Sequence, residues 1–557
     1  MKRRDAAATL ASLERIGRRH APGLAARKLV LLDALSRARL ATARQVLRLH
    51  ELLCFLEAYP DDRRVHGRAR RMLKSFRQRP DLRKHRNSLA ASGVAGTDTP
   101  FRFFFPTAHW ISQRWPGALV LDRDDEEAIR DLIKVLPPLL EPSQAEWISG
   151  QHPKELDLAP FERLIPTGTT DADFVNGLIA GMPGDEFSRE AFGDRLDLSY
   201  VLRAGRNTPE RTTARLSTRD AIHCQQSSLR KGYPDLRQEA RRRPWRIRRL
   251  RGGDAQEAIR LARISMITRE RDLAAFQFAN PGDVFLVDDG RGLAFAMMGV
   301  LPARRATLTT AYTAVTLKNG VPIGYIQVDV LGRHGALSFN TFAAFRGAEA
   351  AHVFARFIAA SYHLFGCTTF SVEPYQLGVG NDEGIESGAW WFYQRLGFRP
   401  CTAAARRLAA RELARRKARP GYRSSQATLR ALARSHMLYS LDPSQAARLP
   451  RIDEWLAAST EALRRFRYAD PADRRTAAAA AAMRQLAGTR PTRLDPDARA
   501  MLARWAGLVL AFTKGGQWKA PERRQLLGLI IAKAGNDERT YQRRVLRHSR
   551  LRRLLDC

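Results

Sequence analysis

The sequence predicts an α+β protein, with a central mixed β-sheet and flanking helices set between helical N- and C-terminal regions. Three observations predict it. Apolar content of 44% and charged content of 27% over 557 residues describe a folded chain long enough for several domains. From about 284 to 342, short apolar runs alternate with turn signals, the pattern of consecutive strands. On either side of that stretch, apolar residues recur at helical spacing.

Taken in order, residues 1–150 form a basic, mainly helical region. Leu29 to Leu32, Leu40, Val46, Leu47 and Leu52 to Leu56 make apolar stripes, with Arg37, Arg39, Arg44 and Arg48 between them and a break at Pro60. The Gly/Thr-rich segment 92–100 leads into a strand over 101–105 (FRFFF). No Gly-Lys-Ser/Thr follows, so it is not a P-loop. It reads as a loop–strand connection or as a ligand loop against an aromatic wall. Residues 122–140 return to helix, with acidic residues in the first turn as the helix dipole prefers. Residues 151–244 read as a mixed connector, closing on the linker Arg241-Arg242-Arg243-Pro244.

The central domain spans 245–401. A helix begins at Asp254, with Glu257 completing a capping box. Residues 284–287, 293–301 and 307–317 read as strands, and Asn319-Gly320 signals a hairpin into the strand PIGYIQVDVL. Residues 336–342 form a buried strand and Arg346-Gly347 a turn. A helix covers 348–365 and stops at Gly366. Another strand covers 368–373, and a further helix covers 387–396, closed by Gly397. A strand, a crossover helix and a strand make a βαβ unit. From 402 to 557 the chain is helical and basic, with helices over 429–441, 452–468, 474–486 and 498–512. Its tail, 541–555, is a basic amphipathic helix suited to RNA, an acidic surface or simple docking on the fold.

The loop Arg346-Gly347-Ala348-Glu349-Ala350-Ala351 between strand and helix, and Asn381, Ala389, Tyr393 and Leu396-Gly397-Phe398 in that order, resemble the GCN5-related N-acetyltransferase (GNAT) superfamily. The resemblance covers about residues 245–401 and implies a GNAT-like mixed sheet. It also implies an acyl-CoA-dependent N-acyltransferase using acetyl-CoA or another acyl-CoA, with the amine acceptor, small or macromolecular, left open. On this resemblance the cofactor lies on Phe342, Arg346, Gly347, Ala348, Ala350, Ala351 and Asn381. Tyr393 protonates the leaving thiolate or else packs in the core, and Glu373 or Asp329 serves as base or is a surface carboxylate. Asn381 holds the pantetheine arm or caps a loop. Glu349 departs from the family, whose glycine there lets the pyrophosphate approach the helix N-terminus. Either its side chain turns away, or the loop does not bind CoA in the usual way.

The net charge of +37 suggests a nucleic acid or another anionic macromolecule as partner, or arginine standing in for lysine on solvated faces. A second reading of the chain is therefore a non-catalytic nucleic-acid- or protein-binding protein, with the GNAT-like part a scaffold and the Arg-rich helices carrying function. Cys54, Cys224, Cys367, Cys401 and Cys557 are scattered without CxxC spacing, which argues against a disulfide framework or a zinc site. The twelve histidines show no metal-binding spacing. With no signal-peptide pattern and no apolar run long enough to span a bilayer, the expected location is cytoplasmic.

Overall fold

The computed structural model describes residues 3–149, 159–217, 221–466, 470–487, 493–514 and 518–555. The chain divides into two compact units, which cross the sequence boundaries at 150, 244 and 401. One comprises Met1–Ser228, Arg260–Gln277 and Asn319–Pro322; the other comprises Leu229–Ile259, Phe278–Lys318 and Ile323–Cys557. Among the described residues, no helix is long and apolar enough to cross a membrane.

After helix Arg3–Gly17, the first unit continues with helices Leu24–Arg37, Ala43–Ala58 and Arg63–Lys74. Thr42 and Gln45 form a reciprocal capping box at the second of these. Strands β1 (Thr99–Phe101), β2 (Leu119–Leu121) and β3 (Tyr200–Leu202) form an antiparallel sheet in the order β1-β3-β2. The FRFFF strand is shorter than its composition suggests. It stops at Phe101, and Phe105 starts a helix with Pro106 in the first turn, where proline's missing N–H costs nothing. Phe103, Phe105, Ile111, Leu132, Val175 and Tyr200 share one buried cluster. The 92–100 segment is tied down from within the unit: Ala95 N–H donates to Thr212 Oγ1 at 2.8 Å and Arg211 N–H to the Gly93 carbonyl at 2.8 Å.

The second unit is built on a mixed sheet of nine strands. They are β4 (Arg246–Leu250), β5 (Ala279–Gly290), β6 (Leu293–Val300), β7 (Thr310–Lys318), β8 (Val321–Leu331), β9 (His334–Thr341), β10 (Thr369–Val372), β11 (Arg399–Pro400) and β12 (Met437–Ser440). Their order is β11-β12-β10-β9-β8-β7-β6-β5-β4. Asn319 and Gly320 at φ 50° and 79° make the turn between β7 and β8, as the dipeptide predicts. Helix Ala350–Phe365 crosses over between β9 and β10, which run parallel, and Gly366 at φ 73° ends it. This helix packs Phe354 on Phe339 and Phe357 on Phe295, each at 5.4 Å between ring centroids.

Several boundaries differ from the sequence reading. The 252–267 helix begins at Gly252, so Asp254 lies inside its first turn and pairs with Arg248 at 3.2 Å instead of capping. Residues 429–441 are not one helix. Gln426–Ala433 is helical, and Met437–Ser440 is strand β12, inserted antiparallel between β10 and β11. Open hydrogen-bonding edges on both sides outweigh the local helical pattern there. Of the expected 452–468 helix, Ile452–Leu463 is helical and Tyr468 lies outside the described residues. The tail breaks at His548 into Glu538–Arg547 and Ser549–Leu555, with Tyr541, Val545, Leu551 and Leu555 buried in a cluster shared with Trp505 and Leu331. Cys54, Cys224, Cys367 and Cys401 are free thiols, and Cys557 lies outside the described residues.

Candidate functional site

The parallel pair is short. Thr369 stands opposite His334, and the pairing ends with Val372 opposite Leu337. Beyond that point β9 continues to Thr341, while Glu373-Pro374 turns the chain into helix Pro374–Leu377. The carboxyl end of β9 therefore loses its neighbour, and the sheet splits. Crevices at the carboxyl ends of parallel strands are where open α/β sheets collect ligands. Here a cavity of about 370 Å³ is lined by Phe339, Asn340 and Thr341 from β9, and by Arg346, Gly347 and Ala350 from the turn and helix start. Gln376, Asn381, Glu383, Ser387, Phe392 and Tyr393 close it from the following segment.

The helix over the cavity presents backbone donors. No side chain caps it, so the N–H groups of its first turn lack intrahelical partners. Gly347 at φ 78° adopts a conformation that a β-carbon would strain, and nothing lies within 4 Å of where that carbon would stand. Glu349 is resolved in favour of turning away. It is 8% exposed. Its carboxylate accepts from the Arg230 N–H at 3.1 Å and pairs with Lys318 at 3.6 Å. Arg230 in turn holds His352 at 2.6 Å, and burial together with that cation pulls His352 down to about 4. The negative charge that threatened the helix start is thus spent on a buried pair. Arg346 reaches across the cavity to Glu383.

The remaining expected residues divide. Tyr393 is buried against Phe354, Phe392 and Phe398 and also lines the cavity. The packing reading holds: the ring lies in the core, and burial pushes the phenol far above its ordinary value, so it stays protonated. Asn381 caps a loop: its Oδ1 accepts from Gly384 N–H at 3.2 Å, and its amide donates to the Tyr375 carbonyl at 3.1 Å. It still lines the cavity. Phe342 is buried beside Tyr325 and is not among the lining residues; neither are Ala348 and Ala351.

Asp329 and Glu373 belong to one neighbourhood. Asp329 stands opposite Ala336 and Gln327 opposite Ser338. Opposed residues share a face, so both lie on the side of β9 away from Phe339. Gln327 Nε2 donates to Asp329 at 2.9 Å. Burial raises Asp329 from 3.8 to about 6, and the Glu373 charge adds to the rise. Glu373 itself is exposed at the end of β10.

One prediction follows from that raised carboxyl. The folded state holds more protons than the unfolded chain between about pH 4 and 6, so this group's stability is full below pH 4 and lost as pH rises through 6. Asp329→Asn removes the loss. Above pH 6 it is expected to raise stability by on the order of 1–2 kcal/mol. Denaturation midpoints measured at pH 4 and pH 7.5 check this; an identical pH dependence in both proteins would refute it.

Asn340, Gln376, Glu383, Ser387 and Phe392 are cavity residues that motif reasoning missed. Only Phe392 carried a signal, as the neighbour of Tyr393. Among the described residues no group of three or more His, Cys, Asp or Glu is placed to hold a metal ion. Comparison of the chain with protein-family models, with curated proteins and with solved structures found no match.

Proposed function

We propose that this chain is a GNAT-like N-acyltransferase that takes an acyl-CoA donor and an amine acceptor. The observation that carries the reading is the cavity at the split of β9 and β10, bordered by an uncapped helix N-terminus and by Tyr393. Backbone N–H groups and the helix dipole there suit a pyrophosphate, and Gly347 leaves room for one to approach. With Glu349 paired to Lys318, the loop carries no free carboxylate from that position. Arg346 supplies a cation at the rim once it leaves Glu383 for a phosphate oxygen.

Acyl-CoA, when bound, supplies an activated thioester. The chain's own residues would then divide the proton traffic. Tyr393 keeps its proton at neutral pH and is the donor suited to a departing thiolate. Asp329, with a value of about 6, is ionised at pH 7.5 and can accept a proton from an incoming ammonium. Glu373, exposed at the strand end, can pass that proton to water. The strand split is the feature that would let a group held in the cavity meet one on the Asp329 face.

Tyr393→Phe tests the role of the hydroxyl. Acetyl-CoA affinity by isothermal titration is expected to stay within about 3-fold of the parent. CoA thiol release with a panel of amine acceptors is expected to fall about 100-fold, the usual contribution of a positioned acid. No saturable acetyl-CoA binding by the parent at millimolar ligand would overturn the proposal.

A further inference from the structure

The net charge of +37 is unevenly placed. Residues 122–131 hold six acidic residues against two arginines, whereas residues 63–86 hold eleven Lys and Arg against one aspartate. Arginine standing in for lysine across solvated faces would not sort the signs in this way. Both segments belong to the first unit.

Within 63–86 the cations fall into two groups. Four have partners. Arg68 pairs with Asp33 at 2.7 Å, Arg70 with Glu57 at 4.0 Å and Arg79 with Asp81 at 2.7 Å, and Arg77 donates to the Gly205 carbonyl at 2.7 Å. The other seven are exposed and make no ion pair and no side-chain hydrogen bond among the described residues. Arg63, Arg64, Arg71 and Lys74 lie on helix Arg63–Lys74, and Arg83, Lys84 and Arg86 on and just after helix Pro80–His85. The nearest carboxylates in sequence are engaged: Asp62 caps the first of these helices by accepting from Val65 N–H at 2.7 Å, and Asp61 holds Lys28 at 2.7 Å.

Two features of helix Arg63–Lys74 run against its own stability. Arg63 and Arg64 stand in its first turn, where the dipole disfavours cations. Gly67 sits mid-helix, where only proline is a poorer helix former. Packing does not ask for this glycine: a β-carbon there would meet only the tip of Arg71, at 3.5 Å, an ordinary contact. By helical geometry Arg63, Lys74, Arg71 and Arg64 share an arc of about 100°, and Gly67 falls inside it. The helix thus presents a cationic face about 18 Å long with bare backbone at its middle. Departures from local stability rules collect where function requires them.

The chemistry of the face selects the partner. Val65, Met72, Leu73, Phe76 and Leu82 are all buried, so the segment offers no large apolar side chain to solvent. That leaves no anchor for a protein interface, nothing to enter a bilayer and no ring on which an unpaired base could stack. We propose that this face binds the phosphate backbone of duplex DNA. The duplex carries one negative charge per about 1.7 Å of its axis, dense enough to answer every cation on the face. The major groove of B-form DNA admits an α-helix, which the narrow groove of A-form RNA does not. Gly67 lets the helix backbone come close to the phosphates. Contacts of this kind position the protein and carry no sequence preference. The proposal does not rest on the acyltransferase reading.

The test is fluorescence anisotropy of the full chain with a labelled DNA duplex of about 20 base pairs and arbitrary sequence, over about 50–200 mM salt. The parent is expected to bind saturably, with log affinity falling linearly against log salt. Arg63→Ala/Arg71→Ala/Lys74→Ala should weaken binding at least about 30-fold at the lowest salt and flatten the slope by about 2–3, with an unchanged melting temperature. Arg474→Ala/Arg475→Ala/Arg484→Ala removes the same charge from three exposed arginines of helix Pro471–Ala487 and should stay within about 3-fold of the parent. Gly67→Gln should raise the melting temperature and weaken binding about 5-fold. No saturable binding at about 50 mM salt, parental affinity in the Arg63/Arg71/Lys74 variant, an equal loss in the Arg474/Arg475/Arg484 variant, or parental affinity in Gly67→Gln would each overturn the proposal. Equal affinity for duplex RNA, or displacement of the duplex by polyglutamate as readily as by unlabelled DNA, would overturn it too.

Discussion

Glu538→Ala is expected to destabilise the second unit by about 3–5 kcal/mol, the cost of leaving buried charge without its partner. Glu538 is 1% exposed and pairs with Lys533, itself fully buried; Arg305, 1% exposed, lies 3.7 Å from the same carboxylate. The surrounding hydrogen bonds show how much rests on this group. Lys533 donates to the Thr309 carbonyl at 2.6 Å, and Arg305 donates to the Lys533 and Val300 carbonyls at 2.6 and 3.0 Å. Glu538 N–H donates to Asp283 at 3.0 Å, and Tyr312 donates to the same carboxylate at 2.7 Å. Burial already draws Lys533 down to about 8, with Glu538 opposing the fall. Removing the carboxylate leaves two cations with only carbonyl acceptors. The measurement is the chemical denaturation midpoint at pH 7.5. The paired replacement Lys533→Met/Glu538→Leu should recover part of the loss, because the matched apolar pair needs no counter-charge while Arg305 still lacks its carboxylate. A Glu538→Ala protein as stable as its parent would refute the assignment.

Ala350→Glu is expected to reduce acetyl-CoA affinity at least 100-fold, about 2.7 kcal/mol. Ala350 is the first residue of the Ala350–Phe365 helix and lines the cavity. A glutamate there introduces bulk and a negative charge where the proposed pyrophosphate sits. The same substitution suits the fold, because acidic residues in a first turn favour the helix dipole. Melting temperature should therefore hold or rise while binding disappears. That contrast separates loss of a site from loss of structure. Retained affinity in Ala350→Glu would remove the ligand from this end of the helix.

Much of the sheet was legible from the chain because its signals are local. Asn319-Gly320 made the expected turn, since only residues tolerant of positive φ fit that loop. The helix ending at Gly366 and the strands on either side of it followed from periodicity and a left-handed cap. Tyr393, Arg346, Gly347 and Ala350, chosen by motif, do line one cavity. Three things were not legible. Met437–Ser440 is a strand because β10 and β11 offer it edges, which no window around residue 437 contains. Glu349 is harmless to the helix start because Arg230 and Lys318, far away in sequence, draw it aside. Arg333, Thr368 and Arg552 line one cavity only because the tail docks beside the start of β9. The Asn319-Gly320 turn and the Gly366 cap depend on neighbours within a few residues, and the sequence alone determines them. The partners of the buried Glu349 carboxylate, Lys318 and Arg230, are brought to it from separate segments by packing, so only the tertiary structure decides them.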